Sequence, residues 1–181
     1  MEQKINELLL KTAFACMACD GNIAPEEVEL IKNFDNDGHL FGDINVDEEL
    51  KSMVEDLNEL GKIFLKNYLN TINESQLNED DSIKVLDVAA KMIKADDIIQ
   101  YSEIKFFKVI KANLNVSDKT ILEKVEGIDD MWIAQDIKDY GILYDAYFEN
   151  IELPKFDLKV LSQETQEDSQ IGTQDNSQDK N

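Results

Sequence analysis

A short pattern of residues occurs twice in this chain, at an interval of 76 positions. The copies span residues 13–27 and 89–103, and share the order Ala-x-x-x-apolar-x-small-Asp-x-x-Ile-x-x-x-Glu. The repeat therefore pairs Asp20 with Asp96 and Glu27 with Glu103. Self-similarity of this kind is typical of related structural units that stack and bury one common core. The sequence thus predicts two related units.

The spacing of apolar residues predicts an all-α fold. One face of the first predicted helix combines apolar residues at steps of three and four, namely Ile5, Leu8, Leu9, Ala13, Cys16 and Met17. Gly21 ends this helix and Pro25 opens the next one. A long helix over residues 50–72 and a last helix over 133–148 follow, with a Gly- and Asp-rich loop at 35–45. We therefore expect a single-domain helical bundle of about seven helices with two duplicated helical hairpins.

The composition changes near Pro154, which we expect to close the domain. Residues 1–155 form the predicted all-helical domain. Residues 156–181 are an acidic, Gln-rich tail, and from Ser162 onward Ile171 is the single apolar residue. Such a segment buries too little apolar surface to offset the entropy lost on ordering, so we expect it to be disordered.

The charge of the chain limits its partners. It carries 39 acidic residues against 18 basic ones, a net charge of −21, and it has no arginine. Nucleic acids and anionic membranes both require clusters of basic residues, which argues against either as a partner. Cations or a basic protein surface fit better, although solubility alone also explains such charge.

No apolar run is long enough for membrane insertion, and the stretch from Leu8 to Cys19 contains Lys11, unlike a secretory signal. We expect a cytoplasmic protein.

The repeated carboxylates are the candidate site. Asp20 and Asp96 fall at the C-terminal ends of matching helices, where a negative charge is unfavourable. Glu27 and Glu103 lie one turn into the helices that follow, so two packed hairpins would bring all four carboxylates together. Oxygen ligands of this kind favour Ca²⁺ or Mg²⁺ over Zn²⁺.

Two neighbouring carboxylates, Glu26 and Asp97, are possible additional members of this acidic cluster. Helix capping is the alternative interpretation of the repeated residues, because Asp and Glu also bind free N–H groups at helix starts.

Other ion-binding patterns are incomplete. The first copy matches only the later half of an EF-hand loop, since Cys16 and Ala18 occupy its early ligand positions. Residues 33–38 match the front half of such a loop, but Ile44 stands where a bidentate Glu is required. The pair Cys16 and Cys19 lacks the further ligands of a zinc site, apart from His39, and aligns with core positions of the second copy. With one histidine and no nucleophile or phosphate-loop motif, the sequence does not favour an enzyme.

The segment from Ala18 to Glu27, with its partial echo over 96–103, resembles the TerB-like family, which includes the tellurite-resistance protein TerB and the membrane-proximal domain of the co-chaperone DjlA. The second copy departs from the pattern, since Asp97 stands where Gly is usual. The resemblance implies a bacterial all-α bundle of duplicated hairpins with an acidic surface cluster that binds metal ions. It also implies a role in stress or tellurite resistance within a larger, membrane-associated assembly. On this basis we expect a non-enzymatic protein that binds a divalent cation at Asp20, Glu27, Asp96 and Glu103. The alternative is a metal-free scaffold that docks a protein partner through its acidic face.

Overall fold

A computed structural model describes residues 2–95, 98–134 and 140–162. Within these ranges the regular secondary structure is helical, and no residue is in a β-strand. The α-helices are α1 (Glu2–Met17), α2 (Pro25–Gly38), α3 (Val46–Leu60), α4 (Lys62–Ser75), α5 (Glu79–Ile93), α6 (Tyr101–Ala112), α7 (Asp118–Lys124), α8 (Asp130–Ile133) and α9 (Tyr140–Asn150). A 3₁₀ helix over Leu158–Ser162 follows. The expected all-α bundle is confirmed.

The repeat in the sequence corresponds to two helical hairpins, α1–α2 and α5–α6. Helix α1 ends at Met17 and α5 at Ile93, while α2 begins at Pro25 and α6 at Tyr101, so both boundaries keep the interval of 76. The two hairpins pack mainly through α1 against α5, with further contacts between α1 and α6 and between α2 and α5. We call residues 18–24, which link α1 to α2, the first turn, and the described residues 94–95 and 98–100, between α5 and α6, the second turn.

Helix α1 forms the centre of the bundle. It contacts α2, α3, α4, α5 and α6. From Leu8 to Cys19 every side chain except Lys11 is buried. A helix that is apolar on nearly all sides must be surrounded by other helices, which explains the apolar stretch near the start of the sequence.

The prediction of one long helix over residues 50–72 is wrong, because Gly61 separates this part of the chain into α3 and α4. The Gly61 backbone has φ of 55° and ψ of −132°, a conformation that glycine adopts far more readily than other residues. Its N–H donates to the Leu57 carbonyl at 2.8 Å and ends α3. The apolar spacing continues across this break, so periodicity alone does not reveal it.

The predicted last helix over 133–148 also divides. Helix α8 ends at Ile133, because Ala134 leaves the helical region with ψ of 125°. Helix α9 begins at Tyr140, and residues 135–139 lie outside the described ranges. These two divisions account for the difference between the nine α-helices of the described ranges and the seven expected.

The predicted loop over 35–45 is shorter in the structure, because α2 continues to Gly38. His39 then takes a left-handed conformation and donates its N–H to Asp35, while the Leu40 N–H donates to the Phe34 carbonyl. This pattern closes the C-terminus of a helix, and it turns the chain so that the Phe41 ring is fully buried. The EF-hand-like residues 33–38 are therefore helical.

The packed chain extends past the predicted domain boundary at residue 155. The 3₁₀ helix contacts α2 and α3, and Leu161 is buried. Asn58 binds Phe156 twice, since its side-chain amide donates to the Phe156 carbonyl and its side-chain oxygen accepts the Phe156 N–H, both at 2.8 Å. The predicted disorder of residues 163–181 falls outside the described part of the chain and stays a prediction.

The Ser82 hydroxyl in α5 is buried, and no residue in the described ranges provides it with a hydrogen-bond partner. A buried polar atom without a partner destabilises the fold by its lost hydration. We expect Ser82→Ala to raise the free energy of unfolding by about 1 kcal/mol, measured by urea denaturation. Ser75→Ala is the matched control, because Ser75 is exposed and donates to the Thr71 carbonyl. A loss of stability in Ser82→Ala would show that the hydroxyl has a partner.

Candidate functional site

The conformation of the first turn depends on a hydrogen bond to the Asp20 carboxylate and on the left-handed backbone of Gly21. One carboxylate oxygen of Asp20 accepts the Asn22 N–H at 2.8 Å, which fixes the chain as it leaves α1. Gly21 follows with φ of 86°, in the left-handed region. An added Cβ at this glycine would lie 2.2 Å from the Glu152 carbonyl oxygen and 3.6 Å from the Pro154 ring. Residues 152–154 therefore run directly over the first turn.

The two repeated glutamates occupy equivalent positions and accept equivalent backbone hydrogen bonds. Glu27 accepts the Ala24 N–H at 2.8 Å, and Glu103 accepts the Gln100 N–H at 2.6 Å. Each carboxylate thus reaches back to the residue that precedes its helix, which is half of a capping box. Both side chains are nearly buried, with 6% and 5% of their surface exposed. The capping alternative is confirmed for these two residues.

A hydrogen bond joins the two hairpins at their turns. The second carboxylate oxygen of Asp20 accepts from the Gln100 side-chain amide at 2.5 Å. Gln100 directly precedes α6, in the second turn, so both turns lie at the same end of the bundle. The equivalent residue of the first turn is Ala24, which has no side chain able to make the reciprocal bond.

The structure places four of the six predicted carboxylates. Asp20, Glu27 and Glu103 lie at the hairpin ends, and Glu26 is exposed in the first turn of α2. Asp96 and Asp97 lie outside the described residues. Within the ranges that the structure describes, no three Asp, Glu, His or Cys side chains are grouped as a metal site would require. The shared cation site of the four repeated carboxylates stays a prediction.

The cysteines are part of the core, as the sequence predicted. Cys16 and Cys19 are free thiols, and both are buried. Burial raises the pKa of Cys16 well above its ordinary value, and the negative charges of Glu103 and Glu27 raise it further. Burial raises the pKa of Cys19 in the same way, with added contributions from Cys16, Glu103, Asp20 and Glu27. Carboxylates of both hairpins therefore act on the thiols at the end of α1.

The aromatic stripe of α9 is partly core. Tyr147 and Phe148 are buried, whereas Tyr140 is exposed. The Tyr147 hydroxyl donates to the Cys19 carbonyl at 2.6 Å, which satisfies a backbone acceptor just beyond α1. This contact spans 128 positions of sequence, and no local pattern of residues predicts it.

An exposed group of apolar residues in and beside the second turn was not predicted from the sequence. Ile98, Ile99 and Tyr101 have 67%, 45% and 59% of their surface exposed. We call these three residues the apolar patch. The adjacent pair of isoleucines in a polar segment is the sequence signal that indicates this group.

Comparisons with known proteins add no assignment: no protein-family model matches this chain, and neither a curated protein nor a solved structure gives a significant match. Across the described ranges, no helix has both the length and the apolar character needed to cross a membrane.

Proposed function

We propose that this protein is a non-enzymatic TerB-like binding module that docks a basic protein partner through its acidic surface. The observation that carries this proposal is the internal use of the repeated carboxylates. Glu27 and Glu103 hold backbone N–H groups at helix starts, and Asp20 binds Asn22 and Gln100. These residues build and join the two turns, which gives them a structural role in the bundle. We further propose that the protein acts in a stress response, on the basis of its resemblance to the TerB-like family.

The charge of the chain supports a basic partner. A net charge of −21 attracts positively charged surfaces over a distance of about 10 Å at moderate ionic strength. The same charge disfavours a close approach to nucleic acid, to anionic lipid or to a second copy of the chain. A protein surface rich in lysine or arginine is therefore the complementary partner.

Purification from the native source, at native abundance and low ionic strength, tests this proposal. We expect a stoichiometric partner with a basic contact surface that dissociates at high salt, since exposed charge pairs are screened. Recovery of a lone monomer under low-salt conditions would contradict the proposal. Retention of the partner at high salt would also contradict it, because binding would then not depend on charge.

A divalent cation at the repeated carboxylates is the second candidate function. It is favoured by the bond between Asp20 and Gln100, because Glu103 accepts the backbone N–H of that same Gln100 and carboxylates of both hairpins therefore lie at one end of the bundle. The ligands would come from Asp20, Glu27, Asp96 and Glu103, with Glu26 and Asp97 nearby in sequence. Their hard oxygen atoms suit Ca²⁺ or Mg²⁺ better than Zn²⁺.

The substitution Glu27→Ala distinguishes the two candidates. It removes the acceptor for the Ala24 N–H, so we expect a loss of about 1–2 kcal/mol in the free energy of unfolding. If Glu27 is a cap alone, this loss is the same with chelator and with millimolar Ca²⁺ or Mg²⁺. If Glu27 binds a cation, the ion stabilises the native protein and the loss grows with its concentration.

The matched control for this experiment is Glu26→Ala. Glu26 is exposed and lies in the same first turn of α2, so it shares the favourable helix-dipole position of Glu27. We expect its substitution to change stability by less than about 1 kcal/mol. Calorimetric titration of the unmodified chain with each ion completes the test, and heat of binding that is lost in Asp20→Ala would support the cation candidate.

A further inference from the structure

A cleft of about 840 Å³ lies between α1, the link over residues 39–45 and the first half of α3. Its volume is within the range of about 300–1,000 Å³ that is typical of ligand-binding clefts. Helix α1 lines it with residues at the helical spacing of three and four, namely Gln3, Asn6, Glu7 and Leu10. Unlike the apolar patch, which adjoins residues 96 and 97 outside the described ranges, the cleft is formed by elements within one described range.

The inner side of the cleft is apolar. Leu10, Phe41 and Met53 line it, and all three side chains are buried in the bundle. We call these residues the apolar floor. They offer no strong hydrogen-bonding groups, so the part of a ligand that covers them has to be aliphatic or apolar.

Gly42 brings the link against α1 at the side of the cleft. Its φ is 65°, and an added Cβ would lie 2.6 Å from the side-chain nitrogen of Asn6. The Asn6 side chain is half-buried there, and it has no hydrogen bond to another described residue. A side-chain amide both donates and accepts, so it is suited to pair with the peptide group of a ligand.

The opening of the cleft is acidic. Glu7, Asp43 and Glu49 line it and are exposed, and Lys11 contributes a single positive charge. We call the three carboxylates the acidic rim. None of them forms an ion pair within the described ranges, and no three such side chains of the described residues are grouped as a metal ion requires. A ligand that neutralises the rim therefore carries several cationic groups that are spaced apart.

These features limit the occupant of the cleft. A second copy of this chain carries the same net charge of −21 and would be repelled. A polyamine has spaced cationic groups on an aliphatic chain, but it has no carbonyl oxygen for the Asn6 amide. A lysine-rich segment of another protein has ammonium groups, long aliphatic stems and peptide groups.

We infer that this cleft binds a lysine-rich segment of the partner protein. The inference rests on the proposed function, since it specifies where the basic partner is held. The aliphatic stems of the lysine side chains lie against the apolar floor, and their ammonium groups lie at the acidic rim. The Asn6 amide pairs with a peptide group of the segment.

The test uses a fluorescent peptide, Gly-Lys-Lys-Lys-Gly, whose affinity for the full chain is measured by fluorescence anisotropy at low ionic strength. We expect the double variant Asp43→Asn/Glu49→Gln to bind it about tenfold more weakly, because two carboxylates of the rim lose their charge. The matched control, Asp56→Asn/Glu59→Gln, makes the same two chemical changes at exposed positions of α3 outside the cleft. It should keep the native affinity within about twofold.

A second peptide tests the apolar floor. It has diaminobutyric acid in place of each lysine, which keeps the charge and shortens the aliphatic stem. We expect it to bind the native chain several-fold more weakly, because less aliphatic surface is buried. Equal affinity of the two peptides would overturn the contact with the floor and with it the proposed site.

The same measurements separate the cleft from the proposed function. Equal weakening by the two double variants would overturn the cleft as the docking site, while charge-driven binding would remain. Displacement of the lysine peptide by an equal concentration of spermine would overturn the peptide occupant in favour of a polyamine. Failure of the lysine peptide to bind the native chain at low ionic strength would overturn the proposed function and the cleft together. Circular dichroism confirms that each variant remains helical.

Discussion

Replacing Gly21 with alanine should lower the free energy of unfolding by about 3 kcal/mol or more, the largest effect expected from a single methyl group in this chain. Two costs combine at this position. The backbone φ of 86° is strained for any residue with a side chain. The added Cβ would also lie 2.2 Å from the Glu152 carbonyl oxygen, a backbone atom that has to move. Urea denaturation of both proteins measures the loss.

Gly61→Ala is the control that separates these two costs. Gly61 also has a positive φ, but no atom lies within 4 Å of its added Cβ. It should therefore show only the backbone strain, about 1–2 kcal/mol. Equal losses in the two variants would contradict the close approach of residues 152–154 to the first turn.

Alkaline pH should destabilise this protein progressively from about pH 9, because its buried thiols and tyrosine hydroxyls stay neutral in the fold. The thiols of Cys16 and Cys19 and the hydroxyls of Tyr68 and Tyr147 all have pKa values raised well above their ordinary values, with burial as the main cause in each case. In the unfolded chain the thiols ionise near their ordinary pKa of 9.0 and the tyrosines near 10.0. Above these values the unfolded state releases protons that the folded state retains, so stability falls as pH rises.

The size of this effect follows from the number of buried groups. Each thiol that remains neutral in the fold lowers the stability by about 1.4 kcal/mol per pH unit above 9, and each tyrosine adds a similar slope above 10. The stability that these neutral groups contribute is fully present only well below pH 9. Urea denaturation at a series of pH values measures the slope.

The double variant Cys16→Ala/Cys19→Ala serves as the control for the thiols. It should lose most of the slope between pH 9 and 10, although its stability at neutral pH is lower because two core side chains are smaller. All other side chains are the same in both proteins, so the difference between the two slopes reports on the thiols. A native chain with constant stability from pH 8 to 11 would contradict the burial of these groups.

The helical hairpins could be predicted from the sequence because the residues that mark their helices and turns are close together in the chain. Apolar spacing defined α1, and Gly21 and Pro25 marked the turn that follows it. Because the repeat has an interval of 76 positions, the boundaries of the first hairpin also predict those of α5 and α6. The division at Gly61 was missed because Leu57 and Leu65 keep the helical spacing on both sides, while the break depends on a backbone conformation that apolar periodicity does not record.

The candidate site was predictable only in part, for a similar reason. Glu27 and Glu103 are three residues from the N–H groups that they accept, so capping could be proposed from spacing. The bonds from Gln100 to Asp20 and from Tyr147 to Cys19 join residues 80 and 128 positions apart. Such pairs are set by the packing of whole helices, which no local pattern specifies. The cation interpretation still depends on Asp96 and stays a prediction.

The central position of α1 has a consequence for the synthesis of the chain. A ribosome makes proteins from the N-terminus at about 5–20 residues per second, so α1 is complete long before α5, its main packing partner. Until residue 93 has been added, the central helix α1 lacks the largest part of the surface that later buries it. The nascent chain is therefore prone to aggregate during this interval, and a chaperone that binds residues 8–19 would protect it at its most vulnerable stage.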